Sequence, residues 1–293
     1  MFKRNKKSKK DKGSVKETVA LAQPGRFDVV ASLLSDVGCV RELNEDSGAC
    51  IQPDNSELRA SKGSLFLVAD GMGGHSAGEV ASRLAVDVIT RIYYEDAGDP
   101  ESALKKAFRE ANREIHKAAE KDESKTGMGT TCTALVLQNG TAISAHVGDS
   151  RLYLVRQQAI YLMTEDHSAV MEMVKAGLIT IEQARHHPDK NVILRAMGSH
   201  PEVEVSSWNA PLPVRGGDKF VLCSDGLYDL VEDDEIKERV AERDPHSACE
   251  TLIGLARERG GYDNITVGVI AVESARAEGT RRVKETREAE VLQ

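Results

Sequence analysis

Four apolar runs in this chain are bounded by an aspartate at the point where the backbone should turn. They read Val68-Ala69-Asp70-Gly71-Met72-Gly73-Gly74, His146-Val147-Gly148-Asp149-Ser150-Arg151, Val221-Leu222-Cys223-Ser224-Asp225-Gly226 and Tyr262-Asp263-Asn264-Ile265-Thr266-Val267. A strand that meets Asp-Gly at its end sets a carboxylate on the rim of a sheet, and the glycine relieves the turn. One such aspartate is a turn residue. Several, with Asn44-Glu45-Asp46 upstream, are better explained as carboxylates that converge on hard divalent cations.

The runs between these points are short, and they alternate in kind. Strands are predicted at Phe27–Leu34, Ser64–Ala69, Thr131–Leu137, Ala142–Val147, Leu152–Val155, Ile160–Met163, Glu202–Trp208, Lys219–Cys223 and Asn264–Val272. Asn139-Gly140 between two of them is a two-residue hairpin signal. Helices are predicted at Glu79–Tyr94, with Val80, Leu84, Val88 and Ile92 on one stripe, and from Pro100, with Ala103, Leu104, Ala107, Ala111, Ile115 and Ala118 inward. Two adjacent helices between runs of hairpin-linked strands imply an α+β fold, two packed antiparallel β-sheets flanked by α-helices, rather than an alternating parallel sheet. His167–Asn191 has helical pieces at Ala169–Ala176 and Ile181–Arg185 and little strand signal, the mark of a mobile insertion. The domain is expected to span residues 26–273, between a basic tail at 1–25 and a charged tail at 274–293.

Charge and cysteine usage exclude several function classes. Residues 1–17 carry eight Lys/Arg and two Asp/Glu, so the formal charge of −8 leaves the remainder at −14. An acidic body argues against a nucleic-acid partner. The longest apolar runs, such as Leu65–Ala69, fall far below the roughly 20 residues of a spanning helix. Five scattered cysteines without CxxC spacing point to reduced thiols in the cytoplasm rather than a disulfide framework or a zinc site.

Six motifs in order, Arg41-Glu42-Leu43-Asn44-Glu45-Asp46, Asp70-Gly71-Met72-Gly73-Gly74, Gly129-Thr130-Thr131, Gly148-Asp149-Ser150-Arg151, Ser224-Asp225-Gly226-Leu227-Tyr228-Asp229 and Asp263-Asn264, resemble the metal-dependent serine/threonine protein phosphatase family (type 2C) in its compact bacterial form. The resemblance implies hydrolysis of phosphoserine and phosphothreonine by a hydroxide held between two Mn²⁺ or Mg²⁺ ions. It implies that Asp70 bridges both ions, that the Gly71 carbonyl completes one site and that Asp225 and Asp263 hold the other. Glu45 and Asp46 would ligate directly or through water, Asp149 and Asp229 would hold a third, weaker ion, and Arg41 would clamp phosphate. The insertion at 167–191 corresponds to the family's flap.

Some residues keep a second reading. Asp149 could cap its own turn, and Asp229 could cap a helix starting near Leu230. Thr130 and Thr131 read as strand and turn residues, and His186 and His187 as part of a polar loop. Met72 stands where eukaryotic members have a histidine proposed as general acid; a thioether gives no proton, so metal-bound water or His75 would have to serve. No cysteine has Arg six positions on, and Gly-Lys never occurs, which excludes cysteine-dependent phosphatases and P-loop enzymes. A catalytically inactive scaffold of the same fold would be expected to lack the carboxylates or the arginine that are present here. The partners implied are phosphorylated proteins and a Ser/Thr kinase, with the phosphatase acting as a monomer.

Overall fold

The computed structural model describes residues 27–73 and 77–274. The tails expected at 1–25 and after Ser274 lie outside the described residues, as does His75. Strands β1 (Phe27–Asp36), β2 (Asp46–Ile51), β3 (Ser64–Met72), β4 (Gly129–Thr130), β5 (Cys132–Gln138), β6 (Thr141–Val147), β7 (Arg151–Arg156), β8 (Ala159–Leu162), β9 (Ser206–Ser207), β10 (Leu212–Pro213), β11 (Lys219–Cys223) and β12 (Ile265–Ser274) form two antiparallel sheets. One runs β1-β12-β11-β7-β8; the other runs β10-β6-β5-β3-β2, with β4 on β3 and β9 on β6.

Period-two alternation sorts the side chains of each strand into two layers. Phe66 and Val68 of β3, Leu135 and Leu137 of β5, Phe220 and Leu222 of β11 and Ile270 and Val272 of β12 meet between the sheets. The alternate residues Leu65, Leu67 and Ala69 pack under α2 (Ala77–Glu95) and α3 (Pro100–Lys121), preceded in the chain by α1 (Ser56–Lys62). On the other sheet, Val221, Cys223, Ile265, Val267 and Val269 pack under α7 (Asp233–Ala241) and α8 (Pro245–Glu258). Both faces of each sheet are therefore covered, which is why its central strands read as unbroken apolar runs. The expected αββα sandwich is the architecture found.

Several local expectations differ from the structure. β2, α1, α7 and α8 are not among the predicted elements. Of Glu202–Trp208 only Ser206–Ser207 pairs as a strand; Val203 and Val205 pack against the helix-side core without ladder bonds. No helix starts near Leu230: Asp229 is the C-cap of α6 (Asp225–Tyr228), and the next helix begins at Asp233. The 167–191 insertion carries α4 (Ala169–Lys175) and α5 (Ile181–Arg185), anchored by the His167 amide to Gly148 O and by Arg185 to Tyr228 O and Val231 O. Among the described residues no helix is long and apolar enough to cross a membrane.

Phe66 tests the register directly. It is fully buried between the sheets, so Phe66→Ala should cost about 3–5 kcal/mol in urea unfolding. A cost below about 1 kcal/mol would mean that Phe66 faces outward and β3 is out of register.

Candidate active site

The first residue of β2 and the last aspartate of β3 lie opposite each other in one ladder: Asp46 pairs with Asp70. Like charges directly across a strand pair repel, so the surrounding backbone has to hold them there. The Asp70 amide donates to Thr131 Oγ1 at 3.0 Å, and the Asp70 carbonyl accepts from Thr131 N at 2.9 Å and Thr130 Oγ1 at 2.8 Å. Thr131 Oγ1 in turn shares a 2.7 Å hydrogen bond with Ser150 Oγ, next to Asp149. The two threonines, which read as plain strand and turn residues, are what fixes Asp70. On the other side Ser224 Oγ donates to Asp46 Oδ2 at 2.7 Å, tying Asp46 to the residue before Asp225.

Asp225 opens α6 at the end of β11, Asp149 sits in the β6–β7 turn, and Asp263 precedes β12. Burial is the main cause that pushes the Asp70 and Asp225 carboxyls well above the usual range. Asp46, Asp225, Asp149 and Asp263 add repulsion at Asp70, and Asp149, Asp229, Asp263 and Asp46 at Asp225. Burial likewise pushes Asp149 up to about 7 and Asp46 to about 6. Asp46 Oδ1, Asp149 Oδ1 and Asp225 Oδ1 are buried with no hydrogen-bond partner. Among the described residues no three His, Cys, Asp or Glu side chains close tightly enough to clasp an ion as they stand. Yet mutual repulsion, oxygen-only donors and three orphaned oxygens are what a hard divalent cation relieves. The donor set fits such ions.

Arg41 lies beside this cluster, half exposed, with Nη2 donating to Asp263 Oδ2 at 2.8 Å and Nη1 4.0 Å from Glu45 Oε2. Glu45 reaches the first turn of α2. Its carboxylate lies against Gly78, where a Cβ would stand 2.5 Å from Oε1, and negative groups are stabilised at helix starts. Its carbonyl accepts from Gly71 N at 3.2 Å and Ser82 Oγ at 2.6 Å. Glu45 thus stands at the junction of the helix terminus and the carboxylate cluster. The junction is too tight for a side chain at Gly71, where a Cβ would lie 2.2 Å from Gly78 O.

Asp229 is ion-paired with Lys190 of the insertion. Arg151 of the Gly-Asp-Ser-Arg motif is structural: it pairs with Asp166 at 2.7 Å and stacks 3.7 Å over the Tyr228 ring. His146 and His167 are stacked at 4.7 Å behind the β6–β7 turn. His167 Nδ1 accepts from Gly148 N, and burial lowers the pair to about 4 and about 3. Met72 pairs with Gly129. His186 is exposed beside Glu182, and His187 lies beside Asp189.

Comparison with known proteins decides what this arrangement is. The family model for protein phosphatase 2C matches residues 44–255. The chain belongs to the protein phosphatase 2C family. It is 37% identical over 243 residues to the serine/threonine phosphatase Stp of Listeria monocytogenes, covering 81% of this chain and 93% of the relative. It is 36% identical over 252 residues to the protein phosphatase PhpP of Streptococcus pneumoniae, covering 84% and 99%. Among solved structures, the Mycobacterium tuberculosis serine/threonine phosphatase PstP/Ppp matches with a TM-score of 0.75 at 38% identity, over 84% of this chain and 99% of that one. The PstP catalytic domain in complex with two manganese ions matches with a TM-score of 0.73 at 36% identity, over 85% and 100%.

The pKa shifts set the stability profile of the metal-free protein. Asp149 and Asp46 bind protons more tightly folded than unfolded, so burying their charged forms penalises the fold at high pH. That penalty is relieved as pH falls through about 7 and about 6. His146 and His167 work the other way: the unfolded chain takes up protons below about 6.5 that the folded chain refuses. The melting temperature without metal should therefore rise as pH falls from 8.5 to about 6.5, and below that the two histidines oppose the further gain from the carboxyls. Saturating Mn²⁺ should raise the melting temperature most at the alkaline end. A metal-free profile flat above pH 6.5 would contradict the buried cluster.

Proposed function

We propose that this chain is a metal-dependent protein serine/threonine phosphatase, a phosphoric monoester hydrolase acting on phosphoserine and phosphothreonine. The observation that carries the reading is the set of buried, unpartnered oxygens on Asp46, Asp149 and Asp225 beside the half-exposed guanidinium of Arg41. Asp70, with the Gly71 carbonyl, Asp46, Asp225 and Asp263 would hold two Mn²⁺ or Mg²⁺ ions, with Glu45 ligating directly or through water; Asp149 and Asp229 would serve a weaker third. Bound there, the ions neutralise phosphate charge and make water nucleophilic at neutral pH.

The remaining work falls to the chain. Arg41 gives one nitrogen to Asp263 and keeps further N–H donors, which bind phosphate oxygens as a planar fork. Thr130, Thr131 and Ser224 hold Asp70 and Asp46 in place before substrate arrives, so little reorganisation is left for the reaction. Met72 has no proton to give, and the departing alkoxide takes its proton from solvent at the site. An inactive scaffold is disfavoured because Arg41, Asp70, Asp225 and Asp263 are all present.

The same reading makes residues 26–273 one catalytic domain, with 167–191 as its flap, between charged tails. It acts as a monomer in the cytoplasm, in keeping with five unpaired cysteines, against proteins phosphorylated by a Ser/Thr kinase.

Purified protein should hydrolyse p-nitrophenyl phosphate and phosphothreonine peptides with Mn²⁺ or Mg²⁺ and stop with EDTA; activity that survives exhaustive chelation would end this reading. Asp70→Asn should lower turnover by roughly two to four orders of magnitude and raise the melting temperature of the metal-free protein, because one charge leaves a self-repelling cluster. Arg41→Ala should mainly raise KM, by about 1.5–3 kcal/mol or roughly 10- to 150-fold, with partial recovery in Arg41→Lys. An unchanged KM would move the phosphate clamp to another residue.

A further inference from the structure

The five most exposed large apolar side chains among the described residues are Leu178 (73%), Ile181 (70%), Tyr262 (65%), Val40 (63%) and Leu194 (58%). All belong either to the 167–194 segment or to the two loops that carry Arg41 and Asp263. Scattered exposed apolar residues need no explanation, but two that adjoin both partners of one ion pair do. Val40 and Tyr262 are the pair nearest the phosphate clamp in sequence, each adjoining one partner of the Arg41–Asp263 ion pair.

These two loops form one rigid platform. Asn264 Nδ2 donates to Val37 O at 3.0 Å and Leu43 O at 2.9 Å, while its Oδ1 accepts from Glu45 N at 2.8 Å. Cys39 N donates to Gly261 O at 2.7 Å. The Tyr262 ring lies against Gly260, where any side chain would strike it, so the exposed ring is supported from beneath. A supported aromatic in the loop that carries the partner of Arg41 presents contact area at low entropic cost.

On the phosphatase reading above, we infer that Val40 and Tyr262 form an apolar subsite that takes a bulky apolar side chain next to the phosphorylated residue of a protein substrate. The body's charge of about −14 outside the basic first 17 residues disfavours acidic flanks in the same substrates. Arg41 fixes the phosphate, and the platform then selects what stands beside it.

The test is a phosphothreonine peptide panel with Leu, Phe, Ala or Asp at each position flanking the phosphothreonine, alongside p-nitrophenyl phosphate, all with Mn²⁺. At one flanking position Leu or Phe should exceed Asp in kcat/KM by roughly tenfold. Tyr262→Ala and Val40→Asp should each flatten that ranking while p-nitrophenyl phosphate turnover stays within about twofold. Val30→Asp, which alters an exposed apolar residue on β1, should leave the ranking intact. If wild type ranks the panel flat, or if both platform variants keep its ranking, the subsite is overturned while the phosphatase reading stands. If neither peptide nor p-nitrophenyl phosphate is cleaved, both fall.

Discussion

Asp46 and Asp70 face each other across one rung of an antiparallel ladder, and the rest of the molecule is arranged to keep them there. Two carboxylates in that relation resist burial. Unless their backbones were fixed by other bonds, the ends of β2 and β3 would splay. The fixing bonds come from every side: Thr130 and Thr131 from β4 and its junction with β5, Ser224 from the end of β11, and Ser82 Oγ of α2, which donates to the Glu45 carbonyl beside Asp46. The sandwich contributes stiffness. With a dry layer between the sheets and one under each helix pair, the strand ends cannot move without disturbing packing that resists small displacements.

The fold was legible where chemistry and periodicity agreed. β3, β5, β6, β11 and β12 have apolar residues at nearly every position because both faces are covered, and the two long helices carry clear apolar stripes. β2 is silent for a physical reason: Asp46-Ser47-Gly48 spends half the strand on the site and on close packing, leaving only Ala49, Cys50 and Ile51 to signal it. α8 was readable, with Asp244 as N-cap, Pro245 at its first position, and Ala248, Cys249, Leu252, Ile253 and Ala256 buried on one face. Val203 and Val205 alternate like a strand but pack on the core without ladder partners, because burial and not pairing is what alternation reports.

For the site, the carboxylates were legible by role, whereas Thr130, Thr131 and Asn264 stood inside the motifs with no positioning role to be read. Thr131 and Asn264 act through hydrogen bonds to partners 61 and 227 positions away, and nothing in their neighbourhood marks such reach. Glu45 shows the reverse. Its place in an acidic pair suggests a ligand, and the fold also sets its carboxylate beside a helix terminus that begins 32 residues later. Only the fold brings α2 to it.

The 167–191 insertion is tied to the same turn that carries Asp225. Lys190 pairs with Asp229, Arg185 donates to Tyr228 O and Val231 O and pairs with Glu232 at 2.9 Å, and Arg151 clasps Asp166 at the insertion's root while stacking on Tyr228. Three cations thus bind one short helix, α6, from one side, and Asp225 is its first residue. The outer pairs are part-exposed and individually weak, whereas Arg151–Asp166 is buried and costly to break. Loss of the Lys190 and Arg185 contacts would leave Asp166 still held by Arg151. Asp229, the partner of Lys190, is an acidic neighbour of Asp225, whereas the Asp46–Asp70 rung is held by other residues. The insertion and the carboxylate frame are thus secured differently: the first by part-exposed ion pairs around a buried one, the second by hydrogen bonds of the strand ends.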